Sequence, residues 1–160
     1  MNPFGLNDFV LITNLSFGEQ VAFAARCARL AIRLLNRISF PVAPSEVEVM
    51  VNAVRLAEQS VTSSVNLTDL ESAVRAAGQL AFASVTQSRF RTDMIIGHVA
   101  HAAYAAGCTA LSGSAAHAQD ALDYALEATR AAGAREMESA IREELRRIRR
   151  LSLPHAEPAI

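Results

Sequence analysis

The residue types with chemical reach fall in two short segments of this chain. His98 and His101 are three apart, which puts both imidazoles on one face of a helix, and His117 with Asp120 repeats that spacing further on. If the two helices pack side by side, His101, His117 and Asp120, with His98 next to them, could supply ligands for zinc or a similar divalent metal. Such a site would make the protein a metal-dependent or small-molecule enzyme. The general-base glutamate of the His-Glu-x-x-His pattern is absent, however, and an ordinary hydrogen-bonded histidine pair in a helix interface fits the same spacing. No cofactor is expected on balance.

Other reagents are scarcer. Lysine is absent, so all 15 basic residues are arginine. Schiff-base chemistry, a phosphate-loop lysine and a lysine general base therefore drop out. Serines are plentiful, but no Gly-x-Ser-x-Gly elbow and no glycine-rich phosphate loop occurs. Cys27 and Cys108 lie in apolar helical stretches and read as buried thiols in a reducing compartment. A net charge of −1 gives no global field for holding nucleic acid, and with no tryptophan and 6% aromatic residues a platform of stacked rings is not expected.

What remains is binding. Arg26, Arg29, Arg33 and Arg37 recur at helical spacing and form a basic stripe, either a solvated face partly paired with acids such as Glu58 or a patch for an anionic partner. Asp120, Asp123 and Glu127 form a second candidate contact surface of opposite sign. Arg142, Arg146, Arg147, Arg149 and Arg150 are interleaved with Glu136, Glu138, Glu143 and Glu144, the pattern of a salt-bridged outer helix.

The elements that must position these residues are helical. Ser16 to Glu19, Ser45 to Glu48 and Thr68 to Glu71 each match a capping box and precede long proline-free stretches. The periodicity predicts helices over about Phe17 to Ile38, about Glu46 to Ser60 and about Asp69 to Val85. Three more follow, over about Asp93 to Ser112, Ala115 to Ala132 and Ala134 to Leu151.

A loop or kink is expected from Thr86 to Thr92, an extended connection at Pro41 to Pro44, and a left-handed stop at Gly133. The first helix should bury Phe17, Val21, Ala24, Ala28, Ala31 and Leu35, and the second Val47, Val51, Val54 and Val61. Met94 to Leu111 carries no Asp, Glu or Arg and approaches the length of a membrane span, but its alanines and glycines have little transfer energy. A buried helix is expected there, without membrane association. No secretory signal is read at the N-terminus.

These stretches predict an all-α fold, an antiparallel bundle of five or six helices with an alanine-rich core. Gly97, Ala100, Ala103, Ala106, Gly107 and Ala110 should let neighbours approach the fourth predicted helix closely. The chain reads as a single helical domain over residues 1–160, with its core at about 16–151 and a flexible tail at 152–160.

Three segments resemble a bacterial family of Imm-5-like helical immunity proteins. They are Phe23-Ala24-Ala25-Arg26-Cys27-Ala28-Arg29, Ala53-Val54-Arg55-Leu56-Ala57, and the run from His101-Ala102-Ala103-Tyr104 to Asp123-Tyr124-Ala125-Leu126-Glu127-Ala128. The likeness spans about residues 16 to 150. Cys108 stands where the family pattern carries a histidine, and the tryptophan near the C-terminal helix is missing. The resemblance implies a helical protein that neutralises a toxin by direct binding and needs no catalytic residue. The expected function is thus a non-enzymatic, cytoplasmic protein-binding domain that takes no nucleic acid. A histidine-centred enzyme and a homo-oligomeric module joined through its alanine faces are the alternatives.

Overall fold

The computed structural model describes residues 6–38, 42–86 and 91–152. Among them are seven helices and no strand: α1 (Leu6–Thr13), α2 (Phe17–Leu34), α3 (Pro44–Thr62), α4 (Leu67–Thr86), α5 (Arg91–Ser112), α6 (Ala115–Ala132) and α7 (Arg135–Ser152). The all-α class stands, and the helix number is seven instead of five or six. The extra element, α1, is eight residues long, too short to display a repeating apolar stripe. It is nonetheless anchored: Ile12 is fully buried, and the Gln20 side-chain amide donates to the carbonyls of Ile12 (3.1 Å) and Leu15 (3.2 Å). The packed core therefore begins ahead of Phe17.

Helix starts follow three different devices. At α2 the capping box is complete, with Ser16 Oγ accepting from the Glu19 amide and Glu19 accepting from the Ser16 amide. At α3 the Ser45 box does not form. The helix opens two residues earlier at Pro44, whose missing N–H costs nothing in the first turn, with Ala43 at the cap. At α4 the cap is Asn66 and not Thr68, because Asn66 Oδ1 accepts from the amides of Thr68 (2.9 Å) and Asp69 (3.4 Å). The end of α2 falls before the expected Ile38, since Leu35, Asn36 and Arg37 tighten to bonds three residues back. Gly133 adopts φ 66°, the left-handed stop expected of it. Pro41, the centre of the expected kink at residues 87–90 and the tail beyond 152 lie outside the described residues.

α5 is the hub and packs against α2, α3, α4 and α6, while α1 and α7 close over α2 and α6. The contacts are made by alanine: Ala24, Ala28 and Ala31 of α2, Ala100, Ala103 and Ala106 of α5, and Ala121, Ala125 and Ala128 of α6 are all fully buried. Methyl groups keep the interhelical gap narrow, so backbone meets backbone with few long side chains between. Against α4 even a methyl is too large in places. A Cβ at Gly107 would stand 2.4 Å from Val74 Cγ2, and one at Gly78 would stand 2.8 Å from the Tyr104 ring.

Four predicted core residues are not buried: Phe17 and Val61 are 48% and 40% exposed, and Val47 and Val51 are only partly covered. α3 instead turns Met50, Ala53, Val54, Leu56 and Ala57 inward. The segment Asp93–Ser112 has the length and composition of a membrane span, and 72% of its apolar window is buried against the other helices.

Candidate functional site

The basic stripe of α2 is occupied from within the chain. Arg26 Nε reaches Glu144 of α7 at 2.7 Å, Arg29 holds Glu58 of α3 through two nitrogens with Nε at 2.6 Å, and Arg37 lies 3.6 Å from Glu136. Arg33 is exposed and makes no ion pair among the described residues. α7 carries the expected ladder of opposite charges, with Arg142 on Glu138 and both Arg146 and Arg150 on Glu143.

The predicted metal ligands separate into two places. α5 and α6 run antiparallel, with His101 stacked on Tyr124 at a centroid distance of 4.5 Å. In that register Glu127 lies beside His98, and Asp120 lies beside Cys108. Cys108 is seven residues from His101, roughly 10 Å along the helix. His117 belongs to the Asp120 end, with its Nδ1 3.9 Å from Asp120 Oδ2. His98, His101, His117 and Asp120 thus do not form one ligand set, and among the described residues no group of three or more His, Cys, Asp or Glu converges as a metal site.

What does converge is aromatic. Phe82 of α4 meets His101 edge-on at 5.3 Å and Tyr104 at 6.1 Å, His101 stacks on Tyr124, and His98 lies 6.1 Å from Tyr124. The order Tyr104–Phe82–His101–Tyr124–His98 is a row of five rings crossing α5 from α4 to α6, and it takes in both tyrosines of the chain. Gly78 makes room for the Tyr104 ring. Phe82 is 58% exposed, whereas His101 is 7% exposed and forms the floor. His101 Nδ1 lies 2.9 Å from the Gly97 carbonyl, so the ring proton sits there and Nε2 is left as an acceptor.

Carboxylates bracket the row. On α6, Asp120, Tyr124 and Glu127 share one face at helical spacing, with the two acids 55% and 53% exposed. Asp123 sits one position over and takes a 2.9 Å hydrogen bond from Gln119. Burial pushes the Asp123 carboxyl up, the Gln119 hydrogen bond opposes this, and Asp120, Glu127 and Asp8 add like-charge repulsion. Burial likewise pushes the His98 imidazole below its ordinary value, with Glu127 pulling it up and His101 pushing it down. Its Nδ1 is shut away without a hydrogen-bond partner. At the other end Tyr104 and Cys108 are hydrogen-bonded, so the tyrosine is held above its ordinary value by the thiol beside it.

Of the residues named from sequence, His98, His101, Asp120, Asp123 and Glu127 belong to this face. Phe82, Tyr104 and Tyr124 were not among them. His98, His101 and Tyr104 do recur in threes, and Asp120, Tyr124 and Glu127 recur at four and three. The sequence therefore carried the signal for the α5 and α6 parts, and none for Phe82. Cys27 is fully buried as expected, but Cys108 is partly exposed. The alanine faces offered as a homo-oligomer surface are turned into the bundle. Compared with protein-family models, curated proteins and solved structures, the chain matches none of them.

Proposed function

We propose that this protein is a non-enzymatic helical binding protein, acting in the cytoplasm, that takes a protein partner on the face made by α4, α5 and α6. The observation that carries this reading is the ring row, in which Phe82 is held 58% exposed beside the buried His101. Interfaces draw most of their energy from a few aromatic anchors surrounded by polar groups, and a rigid ring loses little entropy when it is covered. A chain with only 6% aromatic residues gathers three of them, with two histidines, on one surface. Toxin neutralisation by direct contact is the specific role that the sequence resemblance implies. Such a role needs a face of this kind and no reagent.

In-cell photo-crosslinking tests it. Benzoylphenylalanine in place of Phe82 should give a discrete crosslinked protein, while the same probe at Arg33 on α2 should give none. If that protein is a toxin, the intact chain should relieve its growth inhibition, and a Phe82→Ser, Tyr124→Ala variant should not. Crosslinking from position 33 with none from position 82 overturns the reading.

A further inference from the structure

We infer that the cleft between α3 and α4 binds a free α-amino acid with an apolar side chain, its carboxylate on Arg55 and its ammonium on Asp69. The cleft has a volume of about 380 Å³ and shares no residue with the ring row, so the inference is independent of the contact face proposed above. Three features point to this ligand.

The first is the state of the guanidinium. Arginines elsewhere among the described residues, such as Arg26, Arg29 and Arg142, are set against carboxylates. Arg55 is held instead by two neutral oxygens, Asn52 Oδ1 at 2.7 Å and Gln59 Oε1 at 3.1 Å. Those bonds fix its position, yet leave its charge uncompensated and most of its N–H donors unspent. Asn52 and Ser72 add donors to the same lining. The Asn52 oxygen is taken by Arg55, so its amide nitrogen remains, and the Ser72 hydroxyl is not tied to a helix carbonyl as those of Ser60, Ser84 and Ser112 are. A carboxylate is the group that uses such a set of donors.

The second is Asp69. It lines the same cleft, yet pairs with neither Arg55 nor any other cation among the described residues. Its carboxylate is not spent on the helix cap either, because Asn66 fills that role. Full charges of opposite sign therefore border one cleft without cancelling. A plain anion would be repelled by Asp69 and a plain cation by Arg55, whereas a zwitterion satisfies both.

The third is spacing. α3 and α4 are joined by residues 63–66 and run antiparallel, so Asp69, two residues past the start of α4, is level with Ser60. Arg55 lies five residues before Ser60, an axial offset of about 7.5 Å. Two charge-assisted contacts of about 2.8 Å each leave roughly 2 Å for the ligand. Charges borne on a single carbon fit that span, and the ends of a dipeptide, separated by a whole peptide unit, do not. The buried Leu56 and Ala73, with Ala76 next to them, supply an apolar floor for the side chain.

Titrating the intact, nitrogen-15-labelled protein with leucine at neutral pH, followed by NMR of the backbone amides, tests the inference. Saturable shifts are expected over residues 52–56 and 69–76, with an affinity in about the millimolar range. Leucinamide lacks the carboxylate and N-acetyl-leucine lacks the ammonium, so each should bind about three- to ten-fold more weakly. Two variants assign the ends. In Arg55→Gln, leucine and leucinamide should bind alike, and in Asp69→Asn, leucine and N-acetyl-leucine should bind alike. Both side chains are exposed, so neither change disturbs the core. Phe82→Ser should leave leucine binding in place. No saturable shift, shifts spread evenly over all the helices, equal binding of the blocked forms, or tighter binding of leucyl-leucine than of leucine would each overturn the inference.

Discussion

Two charged helix faces of this molecule look alike in sequence and behave in opposite ways. The arginines of α2 and the carboxylates of α6 each recur every three or four residues, each on a helix whose other side is alanine. The α2 stripe faces inward-leaning acids of α3 and α7 and works as a clamp, with Arg26 and Arg29 joining three helices. The α6 stripe lies along α5, whose His98 and His101 flank Tyr124, and its ion pairs are local to α6, Asp120 with His117 at 3.9 Å and Glu127 with Arg130 at 3.2 Å. A charge run on one helix therefore says little about availability. What the neighbouring helices set opposite it decides whether it closes the fold or remains open to a partner.

The comparison breaks first at Arg26. Glu144 is only 18% exposed and lies near the Cys27 thiol, which burial first and then the Glu144 charge push up. Removing its counter-charge leaves a largely desolvated carboxylate unpaired. Arg26→Ala should cost roughly 1 to 3 kcal/mol in chemical denaturation, and Glu144→Gln alongside it should recover part of the loss. On the α6 side, Asp120→Asn and Glu127→Gln should stay within about 0.5 kcal/mol of the parent. A loss on α6 as large as that on α2 would erase the distinction.

Arg29 sharpens the same contrast at smaller amplitude. Its pair with Glu58 is two-pronged, yet its ends are 40% and 35% exposed, so solvent screens much of the attraction. Arg29→Ala should cost about 1 kcal/mol or less, ranking below Arg26 and above Arg33, whose replacement should be silent.

How much of this was legible before the fold was known follows from the range of each interaction. Helices α2 to α7 were readable because capping and 3.6-residue periodicity act within one segment. α6 matched residue for residue because Gly113 and Gly133, both in the left-handed region, break the chain on either side of it. α1 was hidden because its anchor, the Gln20 amide, belongs to another helix. The caps of α3 and α4 went to Pro44 and Asn66, since a local motif loses to a neighbour with better geometry. The site was half legible. His98, His101, Asp120 and Glu127 stand out by type, but Phe82 joins them only through the close α4–α5 approach that Gly78 and Gly107 permit. That approach depends on the absence of side chains, which no stripe of residue types reveals. The same limit split the metal hypothesis, for spacing within α5 and α6 could not fix the register between them.

The ring row also gives the α6 face an acid-side signature that the α2 clamp lacks. Burial holds His98 below the ordinary histidine value of 6.5, so as pH falls below that value the unfolded chain takes up a proton the folded chain resists. Stability contributed by neutral His98 is present above this window and lost through it down to the folded-state value. Denaturation at stepped pH should show a decline on acidification that His98→Gln flattens, while Arg26→Ala leaves the slope in place. An unchanged slope in His98→Gln would assign the decline to other groups.

Asp123 should give the smallest effect and runs the other way. Its folded value lies above the ordinary 3.8, mainly through burial and then through Asp120, Glu127 and Asp8. Above both values the folded state carries a carboxylate it would rather not hold. As pH falls through the folded value the native state binds the proton first, so stability rises there, and it falls again as pH returns to neutral. Asp123→Asn keeps an oxygen to accept the Gln119 hydrogen bond and removes the charge. With Asp123 only half-buried, solvent screening limits the gain at pH 7 to a few tenths of a kcal/mol, roughly. The gain should vanish in the acid range, where the parent's own carboxyl is protonated. If Asp123→Asn is instead less stable at neutral pH, the Asp123 charge is offset inside the chain, as the charges of Glu58 and Glu144 are by the arginines of α2.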